Sequence, residues 1–235
     1  MKLSIIIPVF NEERTIKELI NRVLRVPLPY KIEKEIIVVN DGSTDNTYKI
    51  LQEFTDNIKL IAHEENRGKG TAIRAGIKES TGDLVIIQDA DLEYNPSDYG
   101  TLLAPIVNKK SKVVYGTRLS NYPLKLWGEN KTVMPIHLIA NKFLTFLTNL
   151  IYGSKLTDME TCYKLFTRTL LEKLNLKSEK FDFEPEVAAK ILKRNKKIAE
   201  VPITVNPRTY KEGKKIGFKD GIAAIWTLLI YKFLD

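Results

Sequence analysis

Apolar, largely β-branched runs recur at residues 3–9, 35–40, 58–63, 84–88 and 112–115, with segments of helical spacing between them. That alternation points to an α/β fold in which a mostly parallel sheet carries helices on both faces. The first helical segment lines up Ile16, Leu19, Ile20, Val23 and Leu24 on one stripe, and Glu12 and Glu13 are expected in its opening turn, where the helix dipole favours acids. A second helix is expected to start near Ser43-Thr44-Asp45, three cap-competent residues after a glycine, and a third to run over residues 68–79. In open parallel sheets ligands sit beyond the carboxyl ends of the strands, which singles out residues 8–12, 41–43 and 89–93.

The last of these segments carries the most pointed chemistry. Gln88-Asp89-Ala90-Asp91-Leu92-Glu93 follows Leu84-Val85-Ile86-Ile87, a run that reads as a buried strand. Two carboxylates in an Asp-x-Asp pair at a strand end can divide their work, one toward a divalent cation and one toward a sugar hydroxyl. Ala90 between them lets a ligand approach the backbone closely. Mg²⁺ typically takes only one or two protein carboxylates and fills its shell from substrate phosphates.

The second half has a different texture. Ile136, Ile139, Ala140, Phe143, Leu144, Leu147, Leu150 and Ile151 make one amphipathic helix, and residues 222–234 are apolar almost all round. The latter stretch is about 13 residues, where a bilayer-spanning helix needs roughly 20. Either helix can pack into a core or face a membrane surface. The opening apolar run is too short for a secretion signal and is followed by Asn11-Glu12-Glu13, so it reads as a strand.

Thirty-seven Lys and Arg against 29 Asp and Glu leave a formal charge of +8, compatible with nucleic acid, an anionic membrane face or a phosphorylated substrate. Arg208, Lys211, Lys214, Lys215 and Lys219 crowd one segment that only Glu212 and Asp220 oppose. A single cysteine, Cys162, excludes an intrachain disulfide. Gly68-Lys69-Gly70-Thr71 lacks the spacing of a P-loop and reads as a glycine turn opening a helix, and no Gly-x-Gly-x-x-Gly follows the first strand. With only His63 and His137, no zinc site or Ser-His-Asp arrangement is legible, and His63 is expected to be structural.

Four motifs in order, Ile6-Ile7-Pro8-Val9-Phe10-Asn11-Glu12, Val38-Val39-Asn40-Asp41-Gly42-Ser43-Thr44-Asp45, Asn66-Arg67-Gly68-Lys69-Gly70 and Asp89-Ala90-Asp91, resemble the family-2 nucleotide-sugar glycosyltransferases of GT-A fold. Asp89-Ala90-Asp91-Leu92 with Pro96, Tyr115-Gly116-Thr117-Arg118 and the stretch from Thr157 to Lys164 resemble, more narrowly, the dolichol- and polyprenyl-phosphate sugar transferases. The resemblance implies one domain over 1–235, with a nucleotide-sugar half at 1–118 and an acceptor half at 119–235 that includes membrane-docking helices. It assigns Pro8, Phe10, Glu12 and Asp41 to base and ribose, Asp89, Ala90 and Asp91 to sugar and diphosphate, and Arg118, Arg208 and Lys214 to phosphates. Asp91, with Glu93, would hold Mg²⁺ or Mn²⁺; the branch commonly has Gln at the second position. Arg118, Lys131 and Lys164 would meet the acceptor phosphate. Lys131 closes a Trp127-Gly128-Glu129-Asn130-Lys131 stretch and Lys164 a Thr161-Cys162-Tyr163-Lys164 stretch, in both of which the branch usually has Arg.

The implied reaction moves a hexose, with inversion, from a GDP- or UDP-sugar to a polyprenyl phosphate, at the cytoplasmic face of a membrane to which the protein binds peripherally. Nucleic acid is not an expected partner, and a homodimer is left open. A lipid phosphate is already largely dianionic at neutral pH, its second pKa being about 6, and needs no base. A glycan hydroxyl would need one, and Asp158 and Glu160 are the candidates. The competing readings are such a hydroxyl-directed transferase and a non-enzymatic sugar-nucleotide-binding scaffold.

Overall fold

The computed structural model describes residues 1–119, 132–194, 196–209, 213 and 217–234. Lys131 and Lys214, the Trp127 to Lys131 stretch and the lysines at 211 and 215 lie outside them. The element order is β1 (Lys2–Val9), α1 (Ile16–Arg25), β2 (Glu33–Asp41), α2 (Thr47–Gln52), β3 (Lys59–His63), α3 (Lys69–Glu79), β4 (Leu84–Ile87), α4 (Tyr99–Val107), β5 (Val113–Thr117), α5 (Pro135–Tyr152), β6 (Lys164–Thr167), α6 (Arg168–Glu172), α7 (Phe183–Lys193), β7 (Ala199–Pro202) and α8 (Phe218–Phe233). The strands form one seven-stranded sheet in the order β3-β2-β1-β4-β6-β5-β7. Pairing is parallel except on the two sides of β6, which runs against β4 and β5.

All five expected strands form, displaced at their ends by a residue or two. Their β-branched content explains why: Leu3, Ile5, Ile6 and Ile7 on β1 and all four residues of β4 are buried on both faces, as interior strands of a helix-covered sheet must be. Burying each such side chain is worth roughly 1.5–3 kcal/mol. Helix α3 closes one face with small residues: a Cβ on Gly76 would stand 2.4 Å from Cγ2 of Ile6, so the close approach requires glycine there.

Two expectations need correction. Helix α1 begins at Ile16, so Glu12 and Glu13 precede it; the Glu12 carbonyl instead accepts from the N–H groups of Thr15 and Ile16. Asn11 just before adopts a left-handed φ of 50°, a conformation Asn tolerates better than most residues. Its side chain bonds the backbone and hydroxyl of Thr44, and Glu12 N–H donates to the Thr47 hydroxyl at 2.8 Å. The β1–α1 and β2–α2 connections are thereby zipped together, and the Glu12 side chain turns over the sheet edge. Strands β6 and β7, which the hydrophobic pattern did not announce, extend the sheet beyond β4.

Candidate active site

The carboxyl ends of β1, β2 and β4 open into a cavity of about 700 Å³. Pro8, Phe10, Glu12, Asp41, Asp89, Ala90, Asp91, Glu93, Arg118, Glu160 and Arg208 all border it, so most of the residues singled out from sequence share one space. Three corrections accompany that convergence.

Asp91 and Glu93 owe their placement to the turn between them. Leu92 has a φ of +63°, unusual for a leucine, and the Asp91 Oδ1 accepts the Glu93 N–H at 3.1 Å. The kink sets both carboxylates on one side of the chain. The segment after β7 then returns alongside: Tyr94 bridges Val205, Asn206 donates to the Glu93 carbonyl at 2.9 Å, and Arg208 N–H donates to Glu93 Oε1 at 3.1 Å. That register delivers the Arg208 guanidinium to Glu12 at 3.1 and 3.2 Å and to Asp91 Oδ2 at 3.1 Å. Burial, followed by the neighbouring charges of Asp89 and Glu93, pushes the Asp91 carboxyl up to about 7 in spite of Arg208. A group so short of positive charge is suited to a cation. The groups here that can ligate a metal are the carboxylate oxygens of Asp91 and Glu93, a hard donor set that fits Mg²⁺ or Mn²⁺. Among the described residues no set of three or more metal-ligating side chains converges, so Asp91 with Glu93 would supply the protein's share and the diphosphate the rest.

Asp89 has a different neighbour. Its Oδ1 lies 2.9 Å from Lys69 Nζ, which also reaches Glu184 Oε1 at 2.9 Å. Burial is the largest influence and works against its charge, but Lys69, Cys162 and Lys164 together outweigh it and hold the carboxyl below its ordinary range. Lys69 was no more than part of a glycine turn in the sequence. Its partners lie 20 and 115 positions away, and only the glycines flanking it hinted that something packs closely there: Gly70 and Thr71 N–H groups donate to the carbonyls of Lys180 and Glu179. Gln88 is a second unforeseen anchor. Its Oε1 accepts from the hydroxyls of Tyr99 and Tyr163 at 2.7 and 2.6 Å, fixing the end of β4.

At the end of β2, Asp41 is held by the N–H groups of Arg67 and Gly68 at 3.1 and 2.7 Å and by His63 Nδ1 at 2.7 Å. His63 is thus a support for Asp41, in keeping with its structural reading. A lone pair on Asp41 Oδ2 remains for a ligand.

The first correction is Asp158. It is wholly buried, and both of its oxygens are committed to Arg118, which donates from its backbone N–H at 3.0 Å, Nε at 2.7 Å and Nη2 at 2.8 Å. A carboxylate saturated by a bidentate arginine is not a base for a substrate; Asp158 orients Arg118, which borders the cavity. The second is Lys164. Its side chain is wholly buried, with its ammonium turned onto the carbonyls of Met159 and Thr161 and over the Tyr115 ring, 4.7 Å from its centroid. It does not reach an acceptor phosphate, because the strand β6 that carries it faces it inward. The third is that Asp158 and Glu160 part company. Glu160 borders the cavity, its Oε1 is buried without a hydrogen-bond partner among the described residues, and burial, then Glu184, pushes its carboxyl up to about 7.

The cavity changes character toward the second half of the chain. Ala140, Phe143 and Leu144 of α5 and Ile222, Ala224 and Ile225 of α8 border it there. Core packing accounts for Leu144 and Ala224, but Ile136, Phe146, Leu150, Trp226 and Phe233 project outward, more than half exposed. No helix among the described residues is long and apolar enough to cross a membrane.

Comparison with known proteins agrees with this geometry. The family model for glycosyl transferase family 2 matches residues 4–175. The chain is similar to a UDP-N-acetylglucosamine–dolichyl-phosphate N-acetylglucosaminyltransferase of Methanococcus voltae, 32% identical over 98% of this chain and 96% of the relative. It is also 25% identical to a dodecaprenyl-phosphate galacturonate synthase of Rhizobium johnstonii over 91% of this chain, and spans 62% of that longer relative. Glucosyl-3-phosphoglycerate synthase from Mycobacterium tuberculosis, solved with Mn²⁺, UDP and phosphoglyceric acid, superposes with a TM-score of 0.74 at 18% identity, over 100% of this chain and 79% of the other; that likeness establishes the GT-A fold. With its motifs gathered at the carboxyl edge of such a sheet, the chain belongs to glycosyl transferase family 2.

Proposed function

We propose that the protein transfers a hexose from a nucleoside diphosphate sugar to a polyprenyl phosphate, working peripherally at the cytoplasmic face of a membrane. The observation that carries this reading is the continuity of one cavity from the acids of β4 to the apolar slot between α5 and α8. A small soluble acceptor has no use for that slot, whereas an acceptor with a phosphate head and an isoprenoid tail presents both chemistries at once. The relatives named for dolichyl and dodecaprenyl phosphate support it, and the first of them makes a UDP-sugar, N-acetylglucosamine above all, the donor to try first.

In this reading Phe10 and Pro8 lie along the base, Asp41 accepts from a base N–H, and Glu12 accepts from ribose hydroxyls once Arg208 is drawn to the diphosphate. Asp89, held by Lys69, faces the sugar. A divalent ion on Asp91 and Glu93 would supply charge stabilisation to the departing diphosphate. Arg118, oriented by Asp158, meets the acceptor phosphate with its remaining donors. A phosphate oxygen attacks the anomeric carbon as the bond to the diphosphate breaks on the opposite side, inverting that centre. The exposed apolar faces of α5 and α8 enter the interface, and the net positive charge adds about 1 kcal/mol for each Lys or Arg near anionic lipid.

The test is a panel of labelled UDP- and GDP-sugars offered with undecaprenyl or dolichyl phosphate in liposomes, with Mg²⁺ or Mn²⁺ present and then removed by EDTA. The expected result is metal-dependent label in the lipid fraction. Transfer to glycan hydroxyls with none to lipid phosphate would overturn the acceptor assignment, and undiminished transfer in EDTA would overturn the metal's part.

A further inference from the structure

Apart from Asp41, held by backbone N–H groups and His63, and Asp220, which accepts from the Gly217 N–H, the acids bordering the cavity fall into two groups. Glu12, Asp91 and Glu93 share Arg208, while Asp89 and Glu184 share Lys69. Glu160 belongs to neither. The nearest cations are spoken for, since Arg118 is paired bidentately with Asp158 and Lys164 is capped by backbone carbonyls. A buried carboxyl oxygen with no partner costs roughly 1–3 kcal/mol, and in a native protein such a cost calls for a reason. The backbone around Glu160 is not free to relieve it. Met159 N–H donates to the Thr145 hydroxyl at 3.0 Å, and Cys162 N–H to the Tyr94 hydroxyl at 3.0 Å, so the segment is pinned on both sides.

The missing partner is described by its surroundings. A cation would have to enter beside Lys164 and Arg118, so a neutral polar group is favoured. It lies on the Asp89 side of the cavity, because the acid that acts most strongly on Glu160 is Glu184, and Glu184 shares Lys69 with Asp89 at 2.9 Å each. A hydroxyl both donates and accepts, matching a carboxyl that burial and Glu184 leave half protonated near neutral pH.

We propose that Glu160 is a specificity-determining residue for the donor, its carboxyl taking a hydroxyl of the transferred hexose. The proposal rests on the donor assignment above and adds the residue that reads the sugar. It also gives Glu160 a duty distinct from that of a general base, which a lipid phosphate acceptor does not require.

Calorimetric titration of the full chain, with Mg²⁺ present, separates the cases using UDP, UDP-N-acetylglucosamine and its 4-epimer UDP-N-acetylgalactosamine. Wild type is expected to bind one of the two sugar nucleotides more tightly than UDP. Glu160→Ala should leave UDP affinity within about twofold while weakening that sugar nucleotide about tenfold or more, the loss of one hydroxyl contact. Glu160→Gln is nearly isosteric, keeps the fold if alanine does not, and should retain sugar binding with an altered ratio between the epimers. Parallel loss of UDP and UDP-sugar, or an unchanged epimer ratio in Glu160→Gln, overturns the proposal. So does a Glu160→Gln protein that binds donor normally yet loses transfer a hundredfold, the signature of a base. Failure of wild type to bind either UDP or GDP would instead overturn the donor assignment beneath it.

Discussion

The two ends of the same sheet treat carboxylates in opposite ways. At the amino-terminal edge Glu35 receives hydrogen bonds from the Ser4 hydroxyl, the Thr81 N–H at 2.8 Å and the Thr81 hydroxyl at 2.5 Å, with Lys2 Nζ 3.6 Å away. Burial opposes its charge, but these partners outweigh it and bring the carboxyl down to about 2. At the carboxyl edge Asp91, buried and crowded by Asp89 and Glu93 in spite of Arg208, and Glu160, buried with Oε1 unpartnered among the described residues, are both pushed up to about 7. One edge uses an acid to hold β1, β2 and the turn before β4 together. The other keeps acids short of partners that a cation, a diphosphate and a sugar could supply, so stability is given up where ligands bind.

The largest effect that would break this contrast concerns Asp91. Asp91→Ala is expected to lower transfer by about 10³-fold or more, since its role belongs to the reacting diphosphate. Because one of three crowded acids is removed, the melting temperature should hold or rise. A fall of several degrees would mean that Asp91 is a structural acid of the Glu35 kind.

Next in size is the apolar margin of the carboxyl edge. Phe146→Ser with Trp226→Ser removes two large side chains that are 63% and 65% exposed, so thermal stability should move by no more than about 0.5 kcal/mol for each. Flotation with anionic liposomes should fall by about tenfold or more, as burial of such surface is worth roughly 25 cal/mol per Å². Intact flotation would remove the membrane from the comparison.

The two glutamates sharpen it through pH. Glu160 has a folded pKa raised above its unfolded value, so its charge costs stability increasingly as pH rises from about 4.5 to about 7. Glu160→Gln should therefore gain about 1–2 kcal/mol at pH 8 and nothing at pH 4. Glu35 is the mirror case: its depressed pKa contributes stability above about pH 4.5 that is lost as pH falls toward 2. Glu35→Gln should cost about 1 kcal/mol at pH 7 in a urea titration, with the gap closing across that window and transfer unchanged. If both substitutions shift stability in the same direction at pH 8, the contrast between the edges fails.

Most of the first half of the chain was legible because its signals are local. Leu84-Val85-Ile86-Ile87 can hardly be anything but an interior strand, and the acids that follow must then lie at its open end. Glu12 borders the cavity but precedes the helix expected to contain it, since the left-handed turn at Asn11 depends on bonds to Thr44 in another connection. The second half was harder. Strand β6 begins with Lys164, a residue that argues against burial until Tyr115 and two carbonyls are placed around its ammonium. Asp158 and Glu160 look interchangeable on paper. One faces Arg118, 40 positions earlier, and the other faces the cavity.

By itself, then, the chain's order of apolar runs and turn residues determined a mostly parallel sheet and the edge at which its chemistry gathers, because strand burial and strand-end placement follow from neighbours within a few residues. Tertiary structure alone decided how the charges are shared: Lys69 to Asp89 and Glu184, Arg208 to Glu12 and Asp91, Arg118 to Asp158, and no partner for Glu160 Oε1 among the described residues. A carboxylate's role depends on which charges and donors lie within a few ångströms of it once water is excluded. In this protein those neighbours come from up to 196 positions away, a separation across which residue spacing carries no information.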